Sequence, residues 1–261
     1  MPGVKSITKK VLGAVGLLRP VQSVWYWHLR RAGRRDIAAL YRQFISAGDL
    51  CFDIGANIGE VSQVMLDLGA RVVAVEPQSE SVEALRKRFA GNQNFTLVPK
   101  AAGSAAGSGE LMVCALSYCS TMSSEFVEAV TESGRLPRDV FHWNEVREVP
   151  ITTLDELIET YGTPVFTKID VEGLEAEVIK GCSHKLKMVS LEFTPERLQP
   201  ALDCVEMLGK LGEVEFNYSV ESEWKLRLPK WVSGSELAQQ LKNTRFRVVT
   251  APGGDLYARF K

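Results

Sequence analysis

With 261 residues, 45% of them hydrophobic and 24% charged, the chain is long enough to bury one sizeable core. A net charge of −1 excludes a global electrostatic pull toward nucleic acid or anionic membranes. The five cysteines (Cys51, Cys114, Cys119, Cys182, Cys204) form no CxxC pair and the three histidines lie far apart, so neither a disulfide framework nor a metal site is expected. The chain reads as a reduced, cytoplasmic protein.

The near-neutral total conceals an asymmetry. Residues 1–35 hold eight lysines and arginines and no acid, a charge of +8 that leaves −9 for the remainder. Ile7, Val11, Val15 and Leu18 share a helical face, and Trp25, Tyr26 and Trp27 follow. The apolar run over 11–18 is too short to span a bilayer, and no small-residue cleavage site follows it. A basic amphipathic segment with aromatics suits peripheral contact with an anionic membrane through residues 1–35, but the plainer reading is a helical arm on its own domain or a partly disordered lead-in. A helix over 36–46, using Ile37, Leu40, Tyr41 and Phe44, ends this segment, so 1–46 and 47–261 are read as two parts.

The second part opens on LCFDIGANIGE, residues 50–60. An apolar strand reaches Asp53, then Gly55 and Gly59 make a tight turn into a helix carrying Val61, Val64, Met65 and Leu68. A β-branched strand over 71–75 ends at Glu76 and Pro77. An acid ending the second strand of a βαβ unit is placed to accept hydrogen bonds from ribose hydroxyls. A dinucleotide site would need G-x-G-x-x-G; here the pattern is D-x-G-x-x-x-G with Asn57 at the middle, which argues against a nicotinamide-dependent oxidoreductase. S-adenosylmethionine, a nucleoside with a sulfonium and no phosphate, fits these residues better.

A helix with Val82, Leu85 and Phe89 leads to a third strand over 95–99, where the small residues Ala101 and Ala102 leave room for an adenine ring. Residues 104–148 break the rhythm: an extra strand over 110–115, then a long polar and aromatic stretch with Thr121 and His142. An irregular insertion of this length suits a substrate cover. Thr153 and Glu156 form a capping box for a helix with Leu154, Leu157 and Ile158. The next strand, VFTKIDVEG, puts Lys168, Asp170 and Glu172 two apart, hence on one face if the strand continues through them. A fifth strand over 188–193 delivers Glu192, Ser233 and Glu236 cap a later helix, and segments 246–250 and 255–260 close the chain as β-structure. Strand–helix alternation ending in antiparallel structure predicts an α/β, Rossmann-like fold: a mostly parallel seven-stranded sheet, helices on both faces, and an antiparallel C-terminal edge.

Asp53-Ile54-Gly55-Ala56-Asn57-Ile58-Gly59, Val75-Glu76-Pro77, Thr153-Leu154-Asp155 and Lys168-Ile169-Asp170-Val171-Glu172-Gly173, in that order, resemble the FkbM-type S-adenosylmethionine-dependent methyltransferases. The resemblance runs from about residue 50 to about 195. It implies a class I methyltransferase domain that methylates a hydroxyl on a sugar, glycolipid or polyketide-type product, with a small-molecule or glycan acceptor and no nucleic acid. It also implies donor-binding roles for Asp53, Gly55, Ala56, Asn57, Gly59, Glu76, Pro77, Ala101 and Ala102. Catalysis would fall to Asp170, with Glu172 and Lys168 beside it, and acceptor contact to Glu192; Thr121 and His142 are acceptor candidates from the expected cover. A non-catalytic donor-binding module is the remaining alternative, and the oligomeric state is not legible.

Overall fold

The computed structural model describes residues 34–114, 117–133, 142–220, 224–243 and 253–261. The expected basic helix within 1–33 and the expected strand over 246–250 lie outside these. The strands are β1 (Leu50–Ile54), β2 (Arg71–Val75), β3 (Phe95–Val98), β4 (Ala101–Ala102), β5 (Gly107–Cys114), β6 (Trp143–Thr152), β7 (Phe166–Ile169), β8 (Met188–Phe193), β9 (Val214–Val220) and β10 (Gly254–Phe260). The helices are α1 (residues 34–41), α2 (Glu60–Asp67), α3 (Ser79–Arg88), α4 (Ser124–Glu132), α5 (Leu154–Tyr161), α6 (Glu175–Lys180), α7 (Leu198–Leu211) and α8 (Gly234–Asn243).

Seven strands form one sheet in the order β3-β2-β1-β7-β8-β10-β9. The pairs from β3 to β8 are parallel, and β10 runs antiparallel to both β8 and β9. The antiparallel structure falls at the expected end of the sheet, with the last strand slotted between β8 and β9. The order reverses direction at β1 and β7, where open α/β sheets leave a crevice beyond the strand tips.

Both faces are covered, as the near-continuous apolar strands require. Alternation sends Phe52 and Ile54 to one face with Val73, Val75 and Ile169, under α5, α6, α7 and α8. Cys51 goes to the other face with Val72, Ala74 and Phe166, under α1, α2 and α3. On that side Ile37, Leu40 and Tyr41 of α1 are buried, and the Tyr41 ring packs 4.7 Å from Phe166. From α1 onward the chain is therefore part of this core. In α2 the buried positions are Ser62, Val64 and Met65, while Val61 and Leu68 are half-buried. Ser62 replaces an apolar residue there because its hydroxyl donates to buried Asp53 at 2.5 Å.

The described part of the insertion is more ordered than its sequence suggests. β5 pairs antiparallel with β6, and β6 pairs parallel with β4, giving a second, three-stranded sheet. A 3-10 turn at Ser117–Cys119 and α4 lie between β5 and β6, and Ser123 caps α4 by accepting from the Phe126 amide at 3.1 Å. All five cysteines are free and buried. Among the described residues, no helix is long and apolar enough to cross a membrane.

Candidate active site

The turn after β1 is built by close approach. Gly55 sits at φ +85°, and a Cβ there would lie 1.8 Å from the Asp170 carbonyl oxygen, so only glycine lets the β1 and β7 tips meet. The Gly55 and Ala56 amides donate to the Val75 carbonyl at 2.9 and 3.1 Å, tying this loop to β2. Asn57 follows at φ 47°, a left-handed angle that costs a non-glycine residue energy and persists only when its surroundings fix it. Its amide donates to Glu76 Oε2 at 2.8 Å, and its Oδ1 accepts from Ser81 and Ser117 hydroxyls at 3.2 and 3.0 Å.

Glu76 is 7% exposed. Burial pushes its carboxyl up to about 7, although the Gln78 and Asn57 amides, both donating to it, pull the other way. Burial also pushes Asp53 up to about 6, against the Ser62 hydrogen bond and the Lys168 charge.

Beyond β7 the chain leaves the strand at Ile169 and does not continue the alternation. Lys168 stays in the sheet, 4% exposed, with its Nζ 2.7 Å from Asp255 Oδ1 and 3.2 Å from Asp170 Oδ2. Lys168 pairs with Ser190 across β7–β8, and Asp255 with Glu192 across β8–β10, so all four share one face and the lysine reaches over β8. Burial opposes its charge, but the Asp170 and Asp255 carboxylates outweigh that and hold the ammonium charged well above its ordinary range.

Asp170 and Glu172 turn outward. The Asp170 amide donates to the Ile54 carbonyl at 2.9 Å, and Glu175 Oε1 accepts from the Val171 and Gly173 amides at 3.1 and 3.2 Å. Glu172, at φ 54°, has its carbonyl bound by the Thr121 hydroxyl at 2.8 Å. One carboxylate oxygen each from Asp170, Glu172 and Glu192 lie within 4.8 Å of one another. Burial, then the charges of Asp170 and Glu172, push the Glu192 carboxyl well above the usual range. The donor set is all oxygen, suited to a proton or a hard cation.

These parts enclose a cleft of about 750 Å³, its open mouth included. Of the expected donor-binding residues, Gly55, Asn57, Glu76, Pro77, Ala101 and Ala102 line it; Asp53, Ala56 and Gly59 support the loop from behind. A Cβ on Gly59 would meet Phe89 at 2.6 Å, so that glycine serves helix packing. Of the expected catalytic residues, Asp170 and Glu172 line the cleft and Lys168 does not. Thr121 reaches it, but 1% exposed and with its hydroxyl engaged by Glu172 and Ser123. Glu192 borders a smaller neighbouring cavity with Thr194 and Arg197, and His142 is exposed and lines neither.

Sequence reasoning missed Asp255, whose partner is 87 residues away, and the segment Ser117, Tyr118 and Ser120, which forms a wall of the cleft. The insertion thus borders the first- and second-strand tips as well as the acids. A site with a buried carboxyl at the β2 tip, no cradle for two phosphates and an acidic far end fits a nucleoside donor that carries a positive charge.

Comparison with known proteins gives the same reading. A methyltransferase FkbM domain model matches residues 53–220. A hexuronic acid methyltransferase, AglP, of Haloferax volcanii is 24% identical over 204 residues, 77% of each chain. Among solved structures, a precorrin-6y C5,15-methyltransferase of Geobacter metallireducens overlays with a TM-score of 0.45 at 15% identity over 87% of each chain. Fibrillarin of Aeropyrum pernix with bound S-adenosylmethionine gives 0.43 at 11% identity over 82% of this chain and 68% of that one. With the family model covering most of the chain, and the donor loop, the β2 acid and the β7 acids all inside the match, the protein belongs to the FkbM methyltransferases and takes its methyl group from S-adenosylmethionine.

Proposed function

We propose that the protein methylates a hydroxyl of a sugar, with a uronic acid or a lipid-linked glycan as the acceptor class, and that Asp170 is the base. The observation that carries this reading is the acidic group Asp170, Glu172 and Glu192 at the tips of β7 and β8, where the donor cleft ends. The resemblance to a protein named for hexuronic acid methylation supports the acceptor class. A nicotinamide-dependent oxidoreductase is set aside by the family match.

S-adenosylmethionine supplies an activated methyl on a positively charged sulfur that leaves as a neutral thioether. The chain's own work is to position and to deprotonate. Glu76 accepts hydrogen bonds from the ribose hydroxyls, and Pro77, Ala101 and Ala102 leave room for the base. The acceptor hydroxyl donates to Asp170, which takes its proton as the oxygen–carbon bond forms and the carbon–sulfur bond breaks. Lys168 acts through Asp170, aiming that carboxylate through an ion pair at 3.2 Å from a buried position. Glu192, its carboxyl pushed up by burial and by the Asp170 and Glu172 charges, stands close beside the base.

The test is transfer of labelled methyl to a panel of free uronic acids, neutral sugars, glycolipids and RNA. Methylation of a saccharide, mapped to an ether oxygen, supports the reading. Methyl transfer to RNA alone, or donor binding without transfer to any extract fraction, would replace it.

A further inference from the structure

The donor cleft has two walls. Strand tips make one. The other is a five-residue strap, 117–121, from the insertion, and its hydroxyl side chains are fastened to both rims. On the donor rim Ser117 donates to Asn57 Oδ1 at 3.0 Å, and Gln78 Nε2 donates to Ser120 Oγ at 2.6 Å. Across the cleft Thr121 donates to the Glu172 carbonyl at 2.8 Å. Trp143 Nε1 holds the strap from outside, donating to the Cys119 carbonyl at 2.7 Å.

Among the described residues, three that are not glycine have positive φ: Asn57, Glu172 and Trp224. The first two line the cleft, and each is held by a strap hydroxyl. A cover for the acceptor would need fastening only at the acids. This one is tied to the loops after β1 and β2, the half of the site that a nucleoside occupies. Tyr118 also lines the cleft and is one of two large hydrophobic side chains exposed beyond a third among the described residues, at 37%. An aromatic face there suits a flat purine or a sulfonium, since both bind π surfaces.

We propose that the strap is part of the donor site: Tyr118 lies against bound S-adenosylmethionine, and Ser117 and Thr121 fix the rims around it. The insertion then serves the donor before it serves the acceptor. Because the probes are the donor and its fragments, the proposal stands or falls independently of the acceptor class above.

Calorimetry on the full chain with S-adenosylmethionine, S-adenosylhomocysteine and adenosine tests it, together with hydrogen exchange. S-adenosylhomocysteine should slow exchange at 117–121. Tyr118→Ala should weaken S-adenosylmethionine by about tenfold or more, and Tyr118→Phe by less than about twofold. An equal loss for adenosine assigns the ring to the purine; a loss confined to S-adenosylmethionine assigns it to the sulfonium. Either outcome supports the strap. Affinity for Tyr118→Ala within about twofold of wild type, or unchanged exchange at 117–121 in the wild-type protein, overturns it. Wild-type protein that binds none of the three probes would overturn the donor assignment itself, a different and recognisable failure.

Discussion

Glu76 should make donor affinity depend on pH. Its carboxyl titrates at about 7 instead of near 4.5, because burial at the β2 tip is only partly offset by two backbone amides. Ribose hydroxyls donate to a carboxylate, so donor binding favours the ionised form and draws that pKa back down. Protonation of the free protein therefore competes with the donor below pH 7 and ceases above it. Affinity for S-adenosylhomocysteine rises as pH rises through 7 and levels off near 8. If only the ionised form binds, the competition weakens binding about tenfold at about pH 6 and by roughly a tenth at about pH 8. Titration calorimetry across that window measures it, and Glu76→Gln should bind weakly with the step removed. A wild-type affinity that is flat across the window would refute the reasoning. The same group acts on the fold: with the folded pKa above the unfolded one, the ligand-free protein loses up to about 3 kcal/mol of stability as pH climbs from about 4.5 to 7. Donor-saturated protein should lose less.

Four substitutions follow from the same geometry. Asp170→Asn should retain S-adenosylhomocysteine binding while methyl transfer, followed by label, falls about 10²- to 10⁴-fold; intact transfer would remove Asp170 as the base. Asp255→Ala leaves the buried Lys168 ammonium with Asp170 alone and should cost about 3–5 kcal/mol in urea denaturation. Gly55→Ala drives a Cβ into the Asp170 carbonyl at a left-handed φ, so calorimetry should detect no donor binding. Thr121→Val orphans the Ser123 amide and the Glu172 carbonyl and should lower stability by about 1–3 kcal/mol, with Thr121→Ser recovering most of it in thermal melts.

Much of the donor half was legible because its information is local. A strand, two glycines at fixed spacing and an acid at the next strand tip each depend on neighbours a few residues away. The different jobs of the two glycines were not readable, because each depends on a distant neighbour: Gly55 on Asp170, Gly59 on Phe89 and Leu85. The caps were readable. Ser233 and Glu236 bond reciprocally, and Thr153 accepts from the Glu156 amide. The Glu156 carboxylate departs from the expected box and takes the Thr152 hydroxyl instead, at 2.6 Å. The second sheet was partly hidden because β6 is largely exposed, and its charged positions do not separate an inner from an outer face.

The acidic half was legible in composition and not in direction. Strand alternation predicts Lys168, Asp170 and Glu172 on one side, and it fails because the strand ends at Ile169. Much of what holds the turn is non-local: Gly55 packed on the Asp170 carbonyl and Thr121 from the insertion taking the Glu172 carbonyl, with Glu175 gathering two nearby amides. Once the chain turns there, the lysine stays in the sheet while Asp170 and Glu172 line the cleft, with Asp170 still 3.2 Å from the lysine. Lys168 then needs a buried counter-charge. β10, placed beside β8 by the sheet order, supplies Asp255, and Tyr41 of α1 closes over the pair's side of the sheet. On the proposed mechanism the lysine bears on the reaction through Asp170, the acid it touches at the edge of the cleft. Weakening the Lys168–Asp255 contact should lower the rate of methyl transfer before it alters donor affinity, since Lys168 lies outside the donor cleft.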